Sequence, residues 1–156
     1  MFAKTSQTEL LDKMAVMRCL RFGNTIAYNG KFVVVQCVTA DYISVSGIEN
    51  NRFTPIKIDD DLLSFIPITY DVLKEWNFNK RDFGHDTFYW ELKNEDFVII
   101  DRPTEIYDER NVYVDTDYNN RQFFLDSFNG DNKQLYFLHE IQNIAIDLFE
   151  FCLNIA

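Results

Sequence analysis

The chain has 156 residues, of which 47% are hydrophobic and 16% are aromatic, and it carries a formal net charge of −10. This length suits one domain with a sizeable core, and only five Gly and three Pro argue against a long disordered linker. Residues 1–57 carry seven Lys/Arg against four Asp/Glu, which gives +3, so residues 58–156 carry the remaining −13. The acidic part is expected to repel nucleic acid and to attract basic protein surfaces.

The N-terminal residues predict a short extension. Residues 1–17 place apolar side chains at helical spacing, so we predict a helical extension ahead of a single domain over residues 18–156. No run of signal-peptide type and no run of eighteen apolar residues occurs, which favours a soluble, cytoplasmic protein without membrane contact. The three cysteines share no short spacing, and we interpret them as reduced core residues: Cys19, Cys37 and Cys152.

Strand patterns follow the extension. Asn29-Gly30 lies between β-branched runs and predicts a hairpin, because both turn positions favour positive φ. Further strands at residues 42–45 and 52–58 complete an SH3-like β-meander. The fold class that we expect is α+β.

The middle of the chain predicts one short helix and a second antiparallel sheet. Thr69 is a favourable N-cap for a helix over residues 70–76 that ends at Asn77. Pro103 permits a break between later strands. The predicted strands of the second sheet involve Phe78, Phe83, residues 88–92, 97–101, 112–114 and 121–125.

The last segment, residues 135–155, predicts a long helix. Its apolar residues cover more than half of the helix circumference, with Leu148 among them, while His139 and Asn143 fall on a narrow polar side. We therefore expect a helix that is buried between the two sheets.

No catalytic constellation is recognised. His139-Glu140 begins a pattern like that of zinc proteases, but Asn143 stands where the second histidine is needed, and His85 is the only other histidine. His85-Asp86 lacks a nucleophile and is interpreted as a loop, and glycine-rich phosphate loops and nucleophile elbows are absent from the sequence. We predict a protein that is not an enzyme and that has no metal or cofactor.

Two surfaces are candidates for partner binding. Tyrosines mixed with carboxylates can dock on an arginine-rich groove by stacking and bidentate pairing. The residues predicted to bind a basic protein surface are Asp59, Asp60, Asp61, Tyr107, Asp108, Glu109, Tyr113, Asp115, Asp117 and Tyr118. The alternative is a nucleic-acid-associated module, in which the basic face of the N-terminal barrel combines cations with aromatic rings. The residues of that alternative are Arg18, Arg21, Lys31, Arg52 and Lys57 with Phe22, Tyr28 and Tyr42.

Three motifs carry a family resemblance over about residues 18 to 155. They are Leu20-Arg21 with Gly23-Asn24, Pro67-Ile68-Thr69, and Tyr136 with His139, Ile141, Gln142 and Asn143. The chain resembles a family of small uncharacterised proteins from phages and prophages of the Bacteroidetes, which assigns no activity to these residues and lacks the N-terminal extension. The resemblance implies a mobile-element setting in a bacterial host cell. By analogy with anti-CRISPR proteins, it implies an inhibitor of host defence that binds a CRISPR effector or its guide-RNA complex.

Overall fold

The computed structural model describes Met17 and residues 19–48, 53–92, 96–103, 105–107, 112–114, 121–126 and 132–154, with the backbone alone for 105–107 and 112–114. The chain divides into two compact units, residues 1–66 and residues 67–156, and each holds a five-stranded antiparallel sheet. The fold is α+β, as the sequence predicts. The N-terminal helical extension lies outside the described residues apart from the buried Met17, and the single domain over residues 18–156 stays a prediction.

The N-terminal sheet is a curled meander with the strand order β4-β3-β2-β1-β5. Its strands are β1 (Thr25–Tyr28), β2 (Lys31–Val38), β3 (Tyr42–Ser46), β4 (Thr54–Lys57) and β5 (Leu63–Ser64). Alternate residues of β2 and β3, such as Val33 and Val45, are buried in its core, because side chains alternate between the two faces of a strand. Asn29 and Gly30 have φ values of 49° and 78°, which confirms the predicted hairpin turn.

The C-terminal unit contains both described helices and a sheet with the strand order β12-β11-β8-β7-β6. Its elements are α1 (Tyr70–Glu75), β6 (Phe78–Gly84), β7 (Thr87–Leu92), β8 (Val98–Pro103), β9 (Glu105–Tyr107), β10 (Val112–Val114), β11 (Arg121–Leu125), β12 (Lys133–Leu135) and α2 (Leu138–Phe149). Strands β9 and β10 form a separate two-stranded ribbon. Strand β8 runs to Pro103, where a break was expected, and neither β5 nor β12 was predicted.

Helix α1 confirms the prediction for the middle of the chain. The backbone N–H of Val72 donates to the Thr69 hydroxyl at 3.4 Å, so Thr69 is the N-cap. The chain leaves the helix at Asn77, whose φ of 67° lies in the left-handed region. Leu73 and Trp76 are buried, as the helical spacing requires.

Helix α2 is shorter and more exposed than the sequence predicts. It begins after Phe137, whose backbone N–H donates to the Glu140 carboxylate at 3.0 Å, and it ends at Glu150, where φ is 59°. Its buried apolar stripe has the three- and four-residue spacing of an ordinary surface helix, and Leu148 is 64% exposed. The prediction of burial over more than half of the circumference is therefore wrong, while its placement between the two sheets stays a prediction.

The polar side predicted for this helix is also wrong in part. His139, which was predicted on the polar side, is 1% exposed, and Gln142, which was not assigned to that side, is 2% exposed, so two polar residues lie in the interior. Residues 151–154 are not helical, because the chain turns back after Glu150. The Gln142 side-chain amide donates to the Leu153 carbonyl at 2.8 Å, and the Trp76 indole N–H donates to the Asn154 carbonyl at 3.1 Å. These two hydrogen bonds attach the C-terminal segment to both helices.

The cysteines differ from the prediction too. Cys19, Cys37 and Cys152 are all exposed, so none is the small core residue that its apolar neighbours in the sequence suggest. Cys37 follows a β-bulge between β2 and β3, where the pairing register shifts. Such a shift interrupts the alternation of inward and outward side chains along the strand. Within the described parts of the chain, neither helix has the length and apolar content needed to cross a membrane.

Candidate functional site

The predicted acidic site begins in the turn between β4 and β5. Asp59 and Asp61 are exposed there, whereas Asp60 is half-buried. The Asp60 carboxylate accepts hydrogen bonds from the Tyr28 hydroxyl at 3.3 Å and from the Leu62 backbone N–H at 2.9 Å. Partial burial, and then the charge of Asp60, raise the pKa of Tyr28. Asp60 therefore fixes the turn, and its two neighbours present their carboxylates to solvent.

The second part of the predicted acidic site is the ribbon of β9 and β10. Tyr113 pairs with Ile106, and Tyr107 pairs with Val112, so the two tyrosines lie on adjacent strands of one ribbon. The other predicted residues of this part lie outside the described residues: Asp108, Glu109, Asp115, Asp117 and Tyr118. The acidic turn belongs to the N-terminal unit and the ribbon to the C-terminal unit. A single acidic surface formed by both parts stays a prediction.

The outer face of the N-terminal sheet is the second candidate. Tyr42 and Lys57 are cross-strand neighbours on this face, since the adjacent pair Ile43 and Ile56 points into the core. Phe32 lies on the same face of β2 and is 52% exposed. Strands β1 to β4 contain no Asp or Glu. We call this surface, defined by Phe32, Tyr42 and Lys57, the outer sheet face.

The residues around the outer sheet face match the predicted nucleic-acid surface only in part. Phe22 precedes β1 and is 72% exposed, and Lys31 is exposed at the start of β2. Tyr28 differs, because it is half-buried and its hydroxyl is bonded to Asp60. Arg18 and Arg52 lie outside the described residues. Phe32 was not among the predicted residues. Its position directly before the buried Val33 indicates an outward-facing side chain, because side chains alternate along a strand.

The C-terminal unit contains a buried ionic network that the sequence did not indicate. Asp101 on β8 is fully buried and forms an ion pair with Arg121 on β11, with Nε and Oδ1 2.7 Å apart. The Trp90 indole N–H donates to its other carboxylate oxygen at 3.0 Å, and the Tyr70 hydroxyl is close enough for the carboxylate to raise its pKa. Arg121 also donates to the carbonyl of Asp86 in the β6–β7 turn. The network therefore connects α1 with strands β7, β8 and β11.

This network is saturated with donors, which limits its chemistry. Burial, followed by the hydrogen bond and the charge of Asp101, raises the pKa of Tyr70 to about 12, so this hydroxyl keeps its proton at neutral pH. A general base needs an acceptor that is open to the substrate, and Asp101 is fully buried and already accepts from an indole and a guanidinium. We infer a structural role for Asp101.

A cleft of about 400 Å³ opens beside the network. It lies between the segment that leads into α1 and the ends of β11 and β12. Tyr70, Arg121 and Tyr136 are among its lining residues. The Tyr136 hydroxyl donates to the Gln134 side chain at 2.9 Å. Arg121 is the one ionised residue that lines the cleft, and its charge is neutralised by Asp101. The lining of the cleft therefore carries no unbalanced charge.

The two histidines lie in different environments. His139 is buried and its ring stacks on Phe137 at 5.8 Å, while burial lowers its pKa to about 4. His85 is exposed in the tight turn between β6 and β7, where both His85 and Asp86 have positive φ, which confirms the loop interpretation. Among the described residues, no group of three or more His, Cys, Asp or Glu has the geometry to hold a metal ion.

Comparisons with protein-family models, with curated proteins and with solved structures found no match. The resemblance to a phage protein family therefore stays a prediction, and the geometry described above is what supports a function.

Proposed function

We propose that this chain is a non-enzymatic binding protein of phage origin that inhibits a host defence nuclease. In this proposal its acidic residues occupy the basic groove in which an RNA-guided CRISPR effector holds nucleic acid, and it acts in the cytoplasm of the bacterial host. The observation that carries the proposal is the segregation of charge, with +3 over residues 1–57 and −13 over residues 58–156. A summed field of one sign attracts a surface of the opposite sign over about a Debye length, ~8 Å at physiological salt.

The acidic turn supports this mode of binding. Asp59 and Asp61 are exposed, so their carboxylates can meet a partner's arginines or lysines without first breaking a buried contact. Asp60 holds the turn through its bonds to Tyr28 and Leu62, which reduces the ordering cost on binding. The chemistry needed at this surface is charge and hydrogen-bond acceptance, and it requires no catalytic group.

The test is a pull-down of a guide-loaded CRISPR effector from a CRISPR-bearing member of the Bacteroidetes. We compare the parent chain with the variant Asp59→Lys/Asp61→Lys, which reverses the exposed charges and keeps Asp60. The expected result is loss of the effector, with at least a tenfold weaker affinity, because close charge pairs across interfaces have coupling energies of about 1.5 kcal/mol or more. The variant Asp108→Lys/Glu109→Lys tests the ribbon segment in the same way.

The matched control is Asp41→Lys/Asp126→Lys, which makes the same change in net charge at two exposed positions outside the proposed site. The control should retain the effector. Equal binding by the parent and by both site variants would contradict the proposal. Equal losses in the control and the site variants would reduce it to a non-specific effect of net charge.

The outer sheet face supports a second candidate function, that of a single-stranded nucleic-acid-binding module. Proteins of this kind combine cations that follow the backbone with exposed rings on which bases stack. Phe32, Tyr42 and Lys57 provide both groups on a face whose strands contain no carboxylate. The opposing factor is the net charge of −10, which weakens the approach of any polyanion.

Fluorescence anisotropy with a labelled oligouridylate at about 0.15 M salt tests this candidate. Tyr42→Ala should weaken binding by about fivefold or more, since one base stack contributes about 1–3 kcal/mol. Lys57→Ala should also lower the salt dependence of binding, whereas Lys74→Ala, an exposed lysine of α1, should have no effect. No change in anisotropy with the parent chain would exclude this function.

A further inference from the structure

The ammonium group of Lys80 lies among three aromatic rings of the C-terminal unit. Its Nζ atom is 3.8 Å from the ring centroid of Phe88, 4.9 Å from that of Tyr70 and 5.8 Å from that of Trp90. Distances within about 6 Å permit attraction between a cation and the face of a ring. We call Tyr70, Phe88 and Trp90 the ring cage. In the described part of the chain, Lys80 contacts these rings and forms no ion pair with a carboxylate.

One of the three rings is fixed by the buried Asp101 carboxylate. The Trp90 indole N–H donates to Asp101 at 3.0 Å, and the centroid of the Tyr70 ring lies 5.2 Å from that of Trp90. The hydrogen bond sets the orientation of the Trp90 ring before any ligand arrives, and the Tyr70 ring packs against it. The ring cage is thus preorganised in part by Asp101.

The second cation near the ring cage does not fill it. The guanidinium carbon of Arg121 lies 5.3 Å from the Phe88 centroid, but the group is paired with Asp101 and bonded to the Asp86 carbonyl. Lys80 differs because it comes from β6, the edge strand of the sheet, and is exposed. A lysine side chain has four rotatable carbon–carbon bonds, so Lys80 can leave the rings without a change in the backbone.

A lysine ammonium is a poor match for such a cage. It is compact and strongly hydrated, so contact with three rings removes water that the rings do not replace. A methylated or quaternary ammonium carries the same charge under a shell of apolar methyl groups, and its hydration is much weaker. Aromatic cages recognise cations of this type in many unrelated proteins. The rings are therefore better suited to a methylated or quaternary ammonium than to the Lys80 ammonium that contacts them.

We propose that Tyr70, Phe88 and Trp90 form a binding site for a methylated or quaternary ammonium group, and that Lys80 occupies this site in the absence of ligand. The ligand displaces the Lys80 side chain, and its cationic head contacts the three ring faces while Asp101 and Arg121 stay paired behind them. No covalent step is involved. The site is independent of the acidic turn and of the outer sheet face.

The experiment follows the indole N–H resonance of Trp90 in ¹⁵N-labelled protein during titration with choline. We compare the parent chain with Lys80→Ala, which empties the ring cage, and Trp76→Phe assigns the resonance because the chain has two tryptophans. We expect saturable shifts in both proteins at millimolar choline and at least fivefold tighter binding in Lys80→Ala. Lys74→Ala removes an equal charge elsewhere and should bind like the parent.

Further ligands and variants identify the chemistry and its source. The neutral isostere 3,3-dimethylbutan-1-ol should bind at least fivefold more weakly than choline, because it lacks the charge that the rings attract. A trimethyl-lysine peptide that binds more tightly than choline assigns the site to a modified protein, and the reverse order assigns it to a small molecule. Lys80→Ala/Phe88→Leu should lose binding while its circular dichroism spectrum remains that of the parent. If choline up to about 10 mM leaves the Trp90 resonance of folded Lys80→Ala unchanged, the proposal is overturned.

Discussion

Replacing Asp101 by alanine should destabilise the C-terminal unit more than any other single change to a charged group described here. The substitution leaves the Arg121 guanidinium, whose side chain is 10% exposed, without its counter-ion. It also leaves the Trp90 N–H without its acceptor. Removing one partner of a buried ion pair costs about 3–5 kcal/mol, and each unsatisfied buried donor costs about 1–3 kcal/mol. These costs overlap because the groups share one carboxylate, so we expect a loss of about 3–5 kcal/mol in all.

The assay is urea unfolding followed by tryptophan fluorescence, with Asp126→Ala as a control at an exposed carboxylate. Domains of this size unfold with about 5–15 kcal/mol, so Asp101→Ala is expected to shift the midpoint strongly or to abolish folding. Asp101→Asn keeps the shape and one acceptor oxygen and should lose less. Asp101→Ala/Arg121→Met also removes the unpaired guanidinium, so its free energy of unfolding should be about 1–3 kcal/mol higher than that of Asp101→Ala alone. A loss below about 1 kcal/mol in Asp101→Ala would refute the assignment of Asp101 as the centre of the network.

Three further changes test the packing of the C-terminal unit. Burial lowers the pKa of His139 from 6.5 to about 4, so the stability that its neutral form contributes is present above pH 6.5 and is lost as the pH falls through 4. Between about pH 7 and pH 4, the free energy of unfolding in urea should fall by about 3 kcal/mol more in the parent than in His139→Gln. The control His85→Gln should behave like the parent. Glu150→Gly should raise the free energy of unfolding by about 0.5–1 kcal/mol in the same assay, because glycine adopts the observed φ of 59° without strain; a loss of stability would contradict this reading of the helix end. Trp76→Phe removes the indole donor to Asn154 and should increase amide hydrogen exchange in residues 151–154, and unchanged exchange would show that this bond does not hold the segment.

The elements that could be predicted from sequence are those set by neighbouring residues. Thr69 and Asn77 mark the two ends of α1, and Asn29-Gly30 marks the first hairpin, because caps and turns depend on the φ preferences and side-chain oxygens of a few adjacent positions. The end of α2 shows the limit of this approach. The apolar pattern continues beyond Glu150, yet the chain turns there and attaches its last residues to Gln142 and Trp76, which are distant in sequence.

The ionic network and the ring cage depend on strand register, which local patterns leave open. The observed pairing places Asp101 opposite Phe88 on one side and Phe123 on the other. A shift of β8 by one residue would turn Ile100 or Arg102 towards this face, because side chains alternate along a strand. Asp101 in that register would face away from Trp90, and the indole would lose the acceptor that orients it. The register of β8 is therefore the feature on which the candidate cation site depends, and it is fixed by the burial of Trp90 and Ile99 in the same row of the sheet.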